Sequence, residues 1–126
     1  MNNILSFRFS TVLVALLLAL GLVTRADAQS AGSVALLDQA YTTLSQADHD
    51  YKGHRVKAMK DIEKAVKELG GKISGDGKGR EPQGTSDAQL RKAKGLLEQA
   101  VPNLSGKALR HVNNAIKQID EALAVK

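Results

Sequence analysis

The chain has 126 residues, with 18 Lys and Arg against 13 Asp and Glu and a formal net charge of +5. It contains no Cys, which excludes disulfides, thiolate metal sites, covalent haem attachment and thiol catalysis. Trp is also absent and aromatic residues make up 3% of the chain, so a core has to be built from Leu, Ile, Val, Met and Ala.

Met1–Ser10 is short and carries one cation, Arg8, and Thr11–Val23 is an apolar run. At about 13 residues the run is too short for a spanning helix, which needs roughly 20. Ala26-Asp27-Ala28 supplies the small residues that a signal peptidase reads. Residues 1–28 are therefore expected to be a secretory signal peptide, leaving one small domain over residues 29–126. Without Arg8, Arg25 and Asp27, sixteen Lys and Arg remain against twelve acids, a net charge of +4.

Gln29–Ser33 is small and polar and reads as a leader, with Ser33 as an N-cap. Val34, Leu37, Tyr41 and Leu44 then repeat at spacings of three, four and three, one face of a helix over about 34–47. Asp48-His49-Asp50-Tyr51-Lys52-Gly53 interrupts the pattern, and Asp48 or Asp50 is placed to cap the next helix. That helix carries Val56, Met59, Ile62, Val66 and Leu69 on one side and ends at Gly70-Gly71. Gly70–Gly84 holds six glycines and Pro82 and reads as a mobile linker. Its Gly75-Asp76-Gly77-Lys78-Gly79 lacks the Gly-Lys-Ser/Thr ending of a phosphate loop and the alternating acids of a calcium loop. Ser86-Asp87-Ala88-Gln89 matches a capping box, followed by Leu90, Ala93, Leu97 and Ala100 on one helical face. Pro102 stops that helix. Asn103 or Ser105 caps a fourth, with Leu109, Val112, Ile116, Ile119 and Leu123 on its apolar face.

Lys57–Leu69 (KAMKDIEKAVKEL) and Lys107–Ile119 (KALRHVNNAIKQI) are two versions of one segment, 50 residues apart. Leu37, Ala40, Leu44 and Ala47 match Leu90, Ala93, Leu97 and Ala100 at an offset of 53, so the first hairpin turn is three residues longer than the second. The expected fold is all-α: a four-helix bundle of two tandem helical hairpins, about 33–70 and 86–126, joined by a Gly-rich linker over 71–85. The alternative is a pair of loosely coupled hairpins that dimerise to complete a core. Frequent Ala on the apolar stripes implies close helix approach.

His49, Asp50 and His54 lie in the longer first turn, and with His111 they are candidate N/O ligands for zinc, copper or nickel. The five-residue separation of His49 and His54 suits no helical ligand pair. Met59 and His111, on facing helices, are similar in residue type to the axial pair of periplasmic four-helix cytochromes b. No motif of that family is present, Leu109 replaces Met59 in the second copy, and no cofactor is expected. Lys57, Lys60, Lys64 and Lys67 form a cationic stripe suited to a polyanion. The interleaved Asp61, Glu63 and Glu68 and the absence of stacking aromatics argue against a specific nucleic-acid target. No serine has a His–carboxylate arrangement beside it, so an enzyme is not expected. The reading is an exported, non-enzymatic interaction or structural module of the cell envelope, periplasmic or secreted. Its partner would be an envelope protein or a second copy, and it would keep no stable membrane anchor once the signal is cleaved.

Overall fold

The computed structural model describes residues 29–47, 50–75 and 83–125. The chain divides into two compact units, Met1–Ser30 and Ala31–Lys126, and the architecture below is that of the second. The signal-peptide reading of residues 1–28 lies outside the described residues.

Among the described residues four helices build the structure: α1 over residues 29–46, α2 His54–Glu68, α3 Gln83–Ala100 and α4 Gly106–Leu123. Among the described residues there is no strand, and no helix is long and apolar enough to cross a membrane. The all-α four-helix bundle is thus the fold of the chain. Leu37, Ala40, Leu44 and Ala47 of the first copy, and Leu90, Ala93, Leu97 and Ala100 of the second, are all fully buried. They share one core with Ile62, Ala65, Val112, Ala115 and Ile119, so the two hairpins close on each other within one chain.

Contacts across the bundle give its topology. Tyr41 on α1 donates a hydrogen bond to Glu63 on α2. His111 on α4 faces Asp61 on α2, Lys94 on α3 meets Asp120 on α4, and α1 and α3 share the walls of one groove. Around the bundle the order is therefore α1, α2, α4, α3. α2 and α4 are antiparallel, since His54 meets Gln118 and Glu121 while Asp61 meets His111. The second copy consequently enters the bundle in the same direction in which α2 leaves it. The connection after α2 has to return along the molecule, which a short turn cannot do.

The first part of that return is packed along α1. Gly71 lies beside Val34 and Val66, Ser74 is held by both carboxylate oxygens of Asp38, Gly75 lies against Tyr41, and half-buried Ile73 packs on the core. The expectation of a mobile linker is corrected for residues 71–75. Residues 76–82 lie outside the described residues.

Helix ends follow simple rules at two places. Gly70, at φ +76°, closes α2 with N–H bonds from Gly70 to Lys67 O and from Gly71 to Val66 O. This is the left-handed glycine stop that satisfies the last free carbonyls. Pro102 converts the chain after Ala100 into a short 3-10 turn, Val101–Asn103.

Elsewhere the caps differ from expectation. α1 is already helical at residue 29, so residues 29–33 belong to the helix and Ser33 is an internal, buried helix residue rather than its N-cap. α3 begins at Gln83, and Ser86 is likewise internal and fully buried. Asp50 makes no side-chain cap bond, α2 starts behind Gly53 at φ +83°, and Ser105 stands at the α4 N-cap without a side-chain bond.

The apolar stripes of α2 and α4 are rotated toward their alanines. Ala58, Met59, Ile62, Ala65 and Val66 are buried on α2, and Ala108, Val112, Ala115, Ile119 and Ala122 on α4, whereas Val56 is exposed. Small side chains let the two backbones approach, and the larger residues flank that seam.

Candidate functional site

The α2–α4 seam carries most of the polar residues singled out from the sequence. Because the two helices are repeat-equivalent and antiparallel, an approximate two-fold axis crosses the seam. Asp61 and His111 are equivalent at the 50-residue offset, and they face each other there, with Asp61 Oδ1 3.9 Å from His111 Nδ1. Both are largely buried. His111 Nδ1 is inaccessible and makes no hydrogen bond among the described residues.

Toward the start of α2, His54 Nδ1 lies 2.8 Å from Gln118 Oε1 and 3.2 Å from Glu121 Oε2. Both partners are acceptors, so Nδ1 carries the proton. His54 and His111 are thus engaged at separate points of the seam. Seven residues separate His54 from Asp61 along α2, about 10 Å at the helical rise. Asp50 is exposed at the head of the first turn, and His49 lies outside the described residues. Among the described residues no three His, Cys, Asp or Glu side chains converge to hold a metal ion.

Lys57, Lys60, Lys64 and Lys67 are all exposed on α2. Lys64 reaches Asp61 at 4.0 Å, and Glu63 accepts the Tyr41 hydrogen bond. The bundle sets α4 beside this stripe. Lys107, Arg110 and Lys117, the repeat equivalents of Lys57, Lys60 and Lys67, are exposed on the neighbouring helix. Two stripes that are remote in sequence thereby form one cationic face. The contribution of α4 was missed in the sequence; the signal that could have found it was the repeat itself, which places cations at equivalent positions.

At the end of the seam where α2 finishes and α4 begins lies a pocket of about 390 Å³, lined by Glu68, Lys107, Arg110, His111 and Asn114. A second groove, of about 230 Å³ between α1 and α3, is lined by Asp38, Gln39, Thr42, Thr43, Gln46, Lys92 and Leu96.

A third polar cluster sits at the first hairpin turn. Tyr51, Lys52 and Gly53 all take positive φ (51°, 54° and 83°), a conformation that costs a non-glycine residue about 1–2 kcal/mol. The turn directs Tyr51 into the bundle, where its ring is buried and its hydroxyl donates to Asp87 Oδ1 at 2.5 Å. Ser86 donates in turn to the Tyr51 oxygen. Burial, followed by the Asp87 bond, pushes the Tyr51 phenol well above its ordinary range. This cluster ties the longer turn of copy one to the first turns of α3 in copy two.

No protein family model, curated protein or solved structure matches the chain.

Proposed function

We propose that the protein is an exported module of the cell envelope that acts by binding rather than catalysis, and that it binds an anionic envelope surface through the α2–α4 face. The observation that carries this reading is the alignment of Lys57, Lys60, Lys64 and Lys67 with Lys107, Arg110 and Lys117 on two adjacent helices. Glu63 and Glu68 interrupt the face, so its attraction is moderate and screened by salt.

The test is co-sedimentation of the chain lacking residues 1–28 with phosphatidylglycerol-containing vesicles, against vesicles of phosphatidylcholine alone. Binding to the anionic vesicles that falls as salt rises, and that weakens when Lys57, Lys60, Lys64 and Lys67 are all changed to Gln, is the expected result. Equal binding to both vesicles, or binding indifferent to salt, overturns the proposal.

A further inference from the structure

The pocket at the α2–α4 seam gathers several hydrogen-bond donors in one place. Lys107, Arg110, His111 and Asn114 follow the i, i+3, i+4, i+7 spacing, so four side chains from one side of α4 converge on one cavity. They bring an ammonium, a guanidinium, an imidazole and a carboxamide. Lys, Arg and the amide all donate hydrogen bonds, and the guanidinium fork matches two oxygens of a tetrahedral oxyanion. Two cations of the bundle are matched internally, Lys64 by Asp61 and Lys94 by Asp120 and Glu98. Among the described residues, Lys107 and Arg110 have no carboxylate within ion-pair distance. Glu68 is the one acid lining the cavity, and it is exposed on the α2 side. The volume of about 390 Å³ holds a phosphate group with room for its substituent or for water.

We infer that this pocket is an oxyanion subsite that takes a phosphate group, with Arg110 and Lys107 as its principal ligands, Asn114 and His111 as supporting donors, and Glu68 as an opposing charge. The inference rests on the anionic-surface reading and specifies its point of contact. The phosphate can be a lipid headgroup or a free ion.

Inorganic phosphate is titrated into the chain lacking residues 1–28 and followed by amide NMR shifts, with circular dichroism confirming that each variant is folded. Shifts confined to the neighbourhood of Glu68 and 107–114 are expected. Arg110→Gln should weaken phosphate binding about tenfold, the loss of one charge-assisted contact, and Glu68→Gln should tighten it. Lys117→Gln, which removes an equal charge outside the pocket, should change it less than about twofold. Shifts spread evenly over all lysines, or equal effects of Arg110→Gln and Lys117→Gln, overturn the subsite.

Vesicles containing phosphatidic acid, matched in charge to phosphatidylglycerol vesicles, separate the two sources. An Arg110-dependent preference for the phosphomonoester headgroup identifies a lipid ligand. Phosphate binding without that preference identifies the free ion. Vesicle binding that survives while phosphate leaves the pocket unshifted overturns the subsite alone. Localised phosphate shifts with no vesicle binding overturn the surface reading alone.

Discussion

Ser33 and Ser86 occupy equivalent positions in the two repeats, each four residues before a fully buried leucine, Leu37 or Leu90, and they are 2% and 0% exposed. Their hydroxyls have opposite circumstances. Ser86 bonds Tyr51, whereas the Ser33 oxygen is inaccessible and has no hydrogen-bond partner among the described residues. The same substitution should therefore act in opposite directions. Ser33→Ala removes a desolvated, unsatisfied hydroxyl, a relief of about 1–2 kcal/mol. Ser86→Ala removes a made hydrogen bond, a loss of about 1 kcal/mol. Alanine's better helix propensity adds about 0.5 kcal/mol to both variants and cancels between them. The difference between the two variants is thus about 2–3 kcal/mol, which for a domain of this size separates their melting temperatures by about 8–24 °C. Urea denaturation monitored by circular dichroism measures it directly. Two variants displaced in the same direction by the same amount would refute the assignment of the two hydroxyls.

Tyr51→Phe should destabilise by about 1.5–3 kcal/mol at neutral pH, since it breaks a bond to a carboxylate and orphans Ser86. The penalty should be pH-dependent in a definite sense. The folded phenol is held protonated, while the unfolded one ionises near pH 10, so its contribution is complete below about pH 10 and declines as pH rises further. The gap between wild type and Tyr51→Phe should hold up to about pH 10 and narrow above it, and a gap that stays constant above that pH in urea titrations would exclude a buried phenol. Gly71→Ala should cost about 1–3 kcal/mol by overpacking, because the added Cβ would lie 2.8 Å from Val34 Cγ1 and 3.1 Å from Val66 Cγ1. A melting temperature unchanged by Gly71→Ala would place the return segment away from α1.

The helices were legible because their apolar spacing is regular and their stops are chemical: Gly70 and Pro102 each end a helix where the residue type requires it. The beginnings were not. Ser86-Asp87-Ala88-Gln89 fits a capping box, but Ser86 also lies four, seven and eleven residues before Leu90, Ala93 and Leu97, which is the core face. Tertiary contact with Tyr51 decided between these readings, and Tyr51 is 35 residues away in the chain. Ser33 repeats the pattern before Leu37, Ala40 and Leu44. Val56 was assigned inward because it is apolar. The seam is instead centred on Ala58 and Ala65, where small size rather than hydrophobicity sets the closest approach. The pocket required the antiparallel register of α2 and α4, and no local pattern carries that register.

The repeat also explains why the two hairpins pair with each other. Residues equivalent under the approximate two-fold meet near the axis, and the two copies have diverged there to Asp61 and His111. Pairing two first hairpins from different chains would set Asp61 against Asp61, two carboxylates that repel in a partly desolvated seam. Pairing two second hairpins would set His111 against His111, with Arg110 beside each imidazole. Only the pairing of unlike copies places a carboxylate opposite an imidazole. The inserted turn acts in the same sense, because Tyr51 of copy one finds Ser86 and Asp87 in copy two, while copy two is three residues shorter and supplies no tyrosine for Ser33. The unsatisfied Ser33 hydroxyl is the residue of that asymmetry. A symmetric pair of first hairpins would satisfy Ser33 through Tyr51 but would place like charges on the axis. Hydrogen bonding at Ser33 and charge on the axis therefore oppose each other in that pairing, and the intrachain bundle is the arrangement in which the axis is matched at the expense of the Ser33 hydroxyl.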